Sequence, residues 1–164
     1  MLGACPRLTS SLPGALAAAA LVAAAPAAAR AQGLRETQVH VLGVASRPLF
    51  GGAGGALAWR DSRRTRVAAS LAAGVLEGGR LAGRADVAWH FLLDPRKRGG
   101  SAVYGGGGLS VRADGEGVRP FLLLVLGTER DPGGRGGSFV EVGVGGGLRA
   151  SAGYRWRKSN APGR

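Results

Sequence analysis

The stretch FVEVGVGGGLRASAGYRWR, residues 139 to 157, places Gly145, Gly147 and Ala150 at the G-x-G-x-x-A spacing of a dinucleotide-binding turn, directly after an apolar run of strand character. Such a turn needs a helix after the glycines to receive the pyrophosphate, and an acidic residue about 20 positions on to hold the ribose. Here strand-like residues follow Ala150, and then a tail without a carboxylate side chain. The glycines are therefore read as a tight turn between two strands. Other candidate chemistry is sparse. His40 and His90 are the only histidines and Cys5 the only cysteine, too few for a histidine or cysteine metal cluster. There is no H-E-x-x-H and no Gly-Lys pair of a phosphate-binding loop. The expectation is a chain without catalytic residues, metal or cofactor.

The elements around these residues begin with an export segment. Arg7 is an early cation, Leu16 to Ala29 is almost entirely Ala, Leu and Val, and Ala29-Arg30-Ala31 is a small-x-small site. That order is the pattern of a secretory signal peptide over residues 1–31, cleaved before Gln32. Pro26 interrupts the apolar run, and no stop-transfer cluster follows it, which argues against a permanent anchor. Removing those 31 residues from 164 leaves 133 with no cysteine, and the formal charge falls from +12 to +10 as Arg7 and Arg30 leave.

Of the 31 glycines only Gly3 and Gly14 go with the signal. The rest follow no three-residue period, which excludes collagen, and they sit among Val, Leu, Ala and aromatic residues, unlike a Ser- or Pro-rich linker. Each would cost up to about 1 kcal/mol relative to Ala inside a helix. An all-β chain remains. Strand-like segments run over 36–46, 49–60, 65–76, 80–93, 101–112, 119–128, 138–145 and 148–157, and most are separated by Gly-, Asp- or Pro-containing turns. Eight tilted strands of about 9 to 11 residues suit a small closed barrel that crosses a bilayer.

Alternation supports that reading. In the fourth segment Leu81, Gly83, Ala85, Val87, Trp89, Phe91 and Leu93 share one parity, whereas Arg84, Asp86 and His90 share the other. The last segment sets Leu148, Ala150, Ala152, Tyr154 and Trp156 against Arg149, Arg155 and Arg157. A charge turned to lipid at mid-depth costs about 2 to 4 kcal/mol, so the charged parity is expected to face inward. Arg66, Arg84, Asp86, Glu141, Arg149 and Arg155 are expected to form a lumen charge network, with Asp86 and Glu141 each paired to inward arginines. Trp59, Trp89, Phe91, Tyr154 and Trp156 fall at strand ends and are expected to form an aromatic girdle at one membrane interface. The sixth segment, Phe121-Leu122-Leu123-Leu124-Val125-Leu126, is apolar on both parities. It fits a buried strand of a soluble sandwich, or a barrel strand whose inner side packs on small residues.

Together the signal peptide, the alternating strands, the glycine-rich Tyr104 to Leu109, the following Arg119-Pro120-Phe121-Leu122-Leu123 and the final Tyr154-Arg155-Trp156 resemble the small eight-stranded outer-membrane β-barrel proteins of Gram-negative-type bacteria. The resemblance implies a single antiparallel up-and-down transmembrane barrel over 32–158, followed by a disordered basic tail over 159–164. It further implies location in the outer membrane, insertion through the outer-membrane assembly machinery and a periplasmic C-terminus. Lipid-deacylating barrel enzymes carry a His-x-Ser arrangement, but His90 precedes Phe91-Leu92 and His40 precedes Val41-Leu42. A non-enzymatic structural or lipid- and protein-interaction role in the envelope is expected. The alternative is a secreted periplasmic β-sandwich or lipocalin-like barrel for a small apolar ligand. The basic turns suit outer-membrane lipids, lipopolysaccharide phosphates among them, better than nucleic acid, which an exported chain seldom meets.

Overall fold

The computed structural model describes residues 35–158 apart from positions 61, 63, 95, 97 and 98; the signal peptide and basic tail read from the sequence lie outside the described residues. Among the described residues eight strands follow one another without a helix: β1 Arg35–Ala45, β2 Phe50–Arg60, β3 Thr65–Leu76, β4 Leu81–Leu92, β5 Ser101–Asp114, β6 Gly117–Arg130, β7 Gly136–Val144 and β8 Leu148–Lys158. Each pairs antiparallel with its sequence neighbour, and β8 pairs with β1, so the sheet closes into a barrel in which every strand has two neighbours. Closure satisfies the strand backbone internally, as a segment in lipid requires.

Most strands lie close to their expected bounds. β5 and β6 are longer, because Asp114 pairs with Gly117 and leaves only Gly115 and Glu116 in the turn. Asp114 Oδ1 accepts the Glu116 backbone N–H at 2.9 Å, which closes the turn locally and lets the ladder continue. β7 pairs with β6 only from Leu124 onward, so residues 117–123 have a partner on one side alone. That single-sided stretch accommodates Pro120, which has no N–H to give to a second ladder. At the tip, Glu116 binds Arg80 of the neighbouring β3–β4 turn and Arg119 at 2.8 Å. Hydrogen bonding from Arg80, reinforced by its charge, holds the Glu116 carboxyl below the usual carboxylate range.

The turn read from G-x-G-x-x-A is the β7–β8 connection. The Gly145 N–H donates to the Gly147 carbonyl at 2.9 Å, and Gly146 has φ of 74°, a left-handed conformation that favours glycine. The strand count is therefore eight, with residues 139–157 split between two strands.

Alternation dictates which side is which. The outer face carries Val39, Val41, Leu57, Leu71, Val87, Leu109, Leu124, Val140 and Val142, with no charged side chain among them. Leu81 and Leu122 are about four-fifths exposed, at 80% and 79%. A continuous apolar surface of this kind needs lipid around it. The same polarity removes the lipocalin-like alternative, because the interior that would have to receive an apolar ligand is charged and filled. The apolar run of β6 fits the barrel too: Leu122, Leu124 and Leu126 point outward, and Leu123 and Val125 point inward onto Ala88. In the ladder Leu123 faces Gly108 and Val125 faces Gly106, small residues that leave room for them.

Candidate functional site: the charged lumen and the aromatic belt

The lumen is layered along the barrel axis. At the end bearing the β1–β2, β3–β4, β5–β6 and β7–β8 turns, Leu42, Val44, Phe50, Leu76 and Ala82 form an apolar plug. These are the inward residues where β1 and β3 finish and β2 and β4 begin.

Below the plug lies Asp86, on the inward parity of β4. It accepts from Arg149 at 2.9 Å, from Arg84 Nε at 3.2 Å, from Ser70 at 3.4 Å and from the Ser110 hydroxyl. Arg84 also donates to the Gly145 carbonyl, so the β7–β8 turn is tied to the lumen. Arg112 and Asp114 form a further pair at 3.2 Å.

The middle of the lumen holds a cavity of about 30 Å³ lined by polar groups including Gln38, His40, Glu141 and Ser151, and by Leu123 and Val125. A water needs about 10–15 Å³ on this measure, so the space suits about two. Glu141 lies at its wall. It accepts from the Tyr104 hydroxyl at 2.7 Å and from Ser151 at 3.3 Å, and among the described residues no arginine lies within ion-pair distance of it. The expected Glu141–arginine pair is thus replaced by a phenol. Tyr104, fully buried opposite on β5, stands between Glu141 and Arg155, whose Nη2 donates to the same hydroxyl at 3.4 Å. Replacing Glu141 with alanine orphans two buried hydroxyl donors and is expected to cost about 1 to 3 kcal/mol, measurable as a lower urea midpoint of the barrel in detergent.

At the opposite, terminal end, where β1 begins and β8 finishes, two carboxylates collect four arginines. Glu36 binds Arg60 at 2.7 Å and Arg66 at 3.3 Å, with Arg157 Nε at 3.4 Å. Glu129 binds Arg66 at 3.0 Å and Arg60 at 3.1 Å, contacts Arg155 closely, and lies 3.5 Å from Arg157. The rings above complete the layer. Arg66 donates Nε to His90 at 3.2 Å and stacks 4.7 Å from the centre of the Tyr104 ring, while Arg155 lies 4.5 Å from that of Phe139. Cation–π contact of this kind suits guanidinium groups removed from water.

The six expected lumen residues all point inward but do not form one set. Arg84, Asp86 and Arg149 belong to the inner cluster, Arg66 and Arg155 to the terminal one, and Glu141 to the tyrosine bridge between them. Glu36, Arg60, Glu129 and Arg157, which share the terminal cluster, are not among the expected six. The sequence signal for them was the same parity rule carried to the ends: Glu36 lies four residues before inward His40, and Glu129 four after inward Val125.

The five girdle residues face outward near the terminal end. Trp89, Phe91, Tyr154 and Trp156 are between 41% and 57% exposed, Trp59 is half-buried, and Tyr154 and Trp156 pack with ring centres 5.1 Å apart. Tyr104 and Phe139 lie at similar height but belong to the lumen. Apolar outer wall, aromatic belt and sealed polar interior define a membrane-spanning β-barrel whose lumen is packed.

The fold is that of the small eight-stranded outer-membrane barrels. The chain superimposes on the N-terminal β-barrel domain of Pseudomonas aeruginosa OprF with a TM-score of 0.55 at 11% identity, covering 77% of this chain and 99% of that one. It matches Neisserial surface protein A (NspA) equally, with a TM-score of 0.55 at 11% identity over 76% of this chain and 96% of that one. No protein-family model matches the sequence, and no characterised protein matches it at the sequence level.

Proposed function

We propose that this chain is a non-enzymatic integral protein of the bacterial outer membrane, with a structural or lipid- and protein-interaction role in the envelope. The observation that carries this reading is the inversion of polarity: the barrel turns Leu, Val and Trp outward and holds Arg, Glu and Asp sealed inside. His40 and His90, the residues most suited to proton transfer, are both buried in that lumen among its charged and apolar side chains. Insertion through the outer-membrane assembly machinery fits a closed barrel whose last strand carries Tyr154-Arg155-Trp156 two residues before its end at Lys158. Location in the outer membrane, with headgroup or lipopolysaccharide phosphates against the basic turns, follows from the same reading.

The test is a membrane fraction of cells expressing the full chain, run unboiled and boiled. A band that shifts on heating and partitions with the outer membrane is the expected result; recovery in the soluble periplasm overturns the proposal. A second measurement addresses the lumen. Because Arg66, Arg155, Glu36 and Glu129 fill its terminal mouth and an apolar plug fills the other, the purified barrel in planar bilayers is expected to give no steady ion conductance.

A further inference from the structure

The two ends of the barrel differ in how their surface cations are used. At the turn end the exposed cations are Arg47, Arg80 and Arg119, beside the exposed acids Glu77 and Glu116, and two of the three are tied to Glu116. At the terminal end Arg35, Arg64, Arg96, Arg130, Arg135 and Lys158 are exposed, with only Asp94 and Asp131 as exposed acids among the described residues. None of these six side chains takes part in an ion pair or side-chain hydrogen bond among the described residues. They are distributed around the rim, on β1, β6 and β8 and on the β2–β3, β4–β5 and β6–β7 connections. Behind them the mouth holds four arginines to two glutamates, so the lumen adds positive charge to the rim.

The aromatic belt fixes the depth of this rim. Trp59 directly precedes Arg60, Trp156 lies two residues before Lys158, and Tyr154 two before that. Rings of this kind settle at the boundary between acyl chains and headgroups. Unpaired cations a few residues further out then lie at the level of lipid phosphates. At the turn end the outermost apolar wall residues are instead the aliphatic Leu49, Leu81, Val118 and Leu148.

We infer that the terminal rim is a collar for anionic lipid, with Arg35, Arg64, Arg96, Arg130, Arg135 and Lys158 gathering headgroup phosphates from the leaflet on that side of the membrane. The inference rests on the membrane-barrel reading and deepens it by naming the end, the residues and the ligand chemistry.

All three tryptophans of the chain, Trp59, Trp89 and Trp156, belong to this belt, so intrinsic fluorescence reports on the collar end alone. The full chain is refolded into phosphatidylcholine vesicles holding a minor fraction of phosphatidylglycerol, with bromine on the acyl chains of one lipid or the other. Quenching by the brominated phosphatidylglycerol is expected to correspond to a local fraction at least about twice the bulk value. The excess is expected to vanish at high salt, and on replacing the six collar cations with glutamine (Arg35→Gln, Arg64→Gln, Arg96→Gln, Arg130→Gln, Arg135→Gln and Lys158→Gln). It is expected to survive Arg47→Gln, Arg80→Gln and Arg119→Gln at the other end. Quenching in proportion to bulk composition, or an excess that persists in the six-fold variant, overturns the collar while leaving the membrane barrel intact. Absence of quenching by either brominated lipid removes the membrane reading and the collar together.

Discussion

Replacing Glu129 with alanine is expected to lower the unfolding free energy of the barrel by about 3 to 5 kcal/mol, the usual cost of removing one partner from a buried ion pair. Glu129 lies within ion-pair distance of Arg60, Arg66, Arg155 and Arg157, and its side chain is fully screened from solvent. Without it the four guanidinium groups share Glu36 alone. Their mutual repulsion acts in a lumen packed with Tyr104, Phe139 and His90, where screening by solvent is weaker than at a free surface. Glu129→Gln keeps the acceptor oxygen and the volume but not the charge, so it is expected to fall between wild type and alanine. Urea titration of the refolded barrel in detergent, followed by tryptophan fluorescence and by the heat-shifted band, measures both. An unchanged midpoint for the alanine variant would mean that the arginines are held by packing and the carboxylate adds nothing.

The second large effect concerns the run Gly105-Gly106-Gly107-Gly108 on β5, where neighbouring glycines are expected to behave oppositely. A Cβ on inward Gly108 would sit 2.0 Å from the Val87 carbonyl oxygen, and one on inward Gly106 would sit 2.3 Å from that of Trp89. Both obstacles are backbone in the paired strand β4, which cannot move without breaking the ladder. On outward Gly105 the nearest atom is 3.8 Å away, an ordinary contact. Gly106→Ala and Gly108→Ala are each expected to cost about 1 to 3 kcal/mol as overpacking, and the pair together more, whereas Gly105→Ala is expected to be near neutral. The yield of heat-modifiable barrel on refolding, and its urea midpoint, distinguish them. Equal effects at Gly105 and Gly108 would show that the glycines serve chain flexibility and not close approach of strands.

Much of the architecture was legible before any coordinates because a barrel strand in lipid has a strict period of two, and a charge on the wrong parity is costly. That rule located the strands, assigned Arg66, Arg84, Asp86, Glu141, Arg149 and Arg155 to the inside and put Trp89 and Trp156 on the outside. The ends of β5 and β6 lie further out than the sequence suggests, because Asp114 and Gly117 look like turn residues, yet they form the last pair of the ladder, with Asp114 accepting the Glu116 N–H to close the turn beyond it. The sixth strand could not be resolved from its sequence, since Leu123 and Leu124 are chemically alike. Only the facing Ala88, Gly106 and Gly108 distinguish the one inside from the one outside.

Periodicity and composition alone were enough for the strands, the inward parity of Arg66, Arg84, Asp86, Glu141, Arg149 and Arg155 and the likeness to outer-membrane barrels, since these depend on each residue's own polarity and its immediate neighbours. Which charge meets which was decided by closure. β1 is joined to β8 across the whole chain, and the tilt of the strands sets which inward side chains share a level. That is why Glu36 and Glu129, far apart in sequence, hold the same arginines, and why Glu141 met a tyrosine in place of an arginine. The turn at Gly145 to Gly147 belongs to both accounts: its glycines were evident as a run of letters, and the left-handed φ at Gly146 with the bond from Gly145 to Gly147 made them the connection between the last two strands.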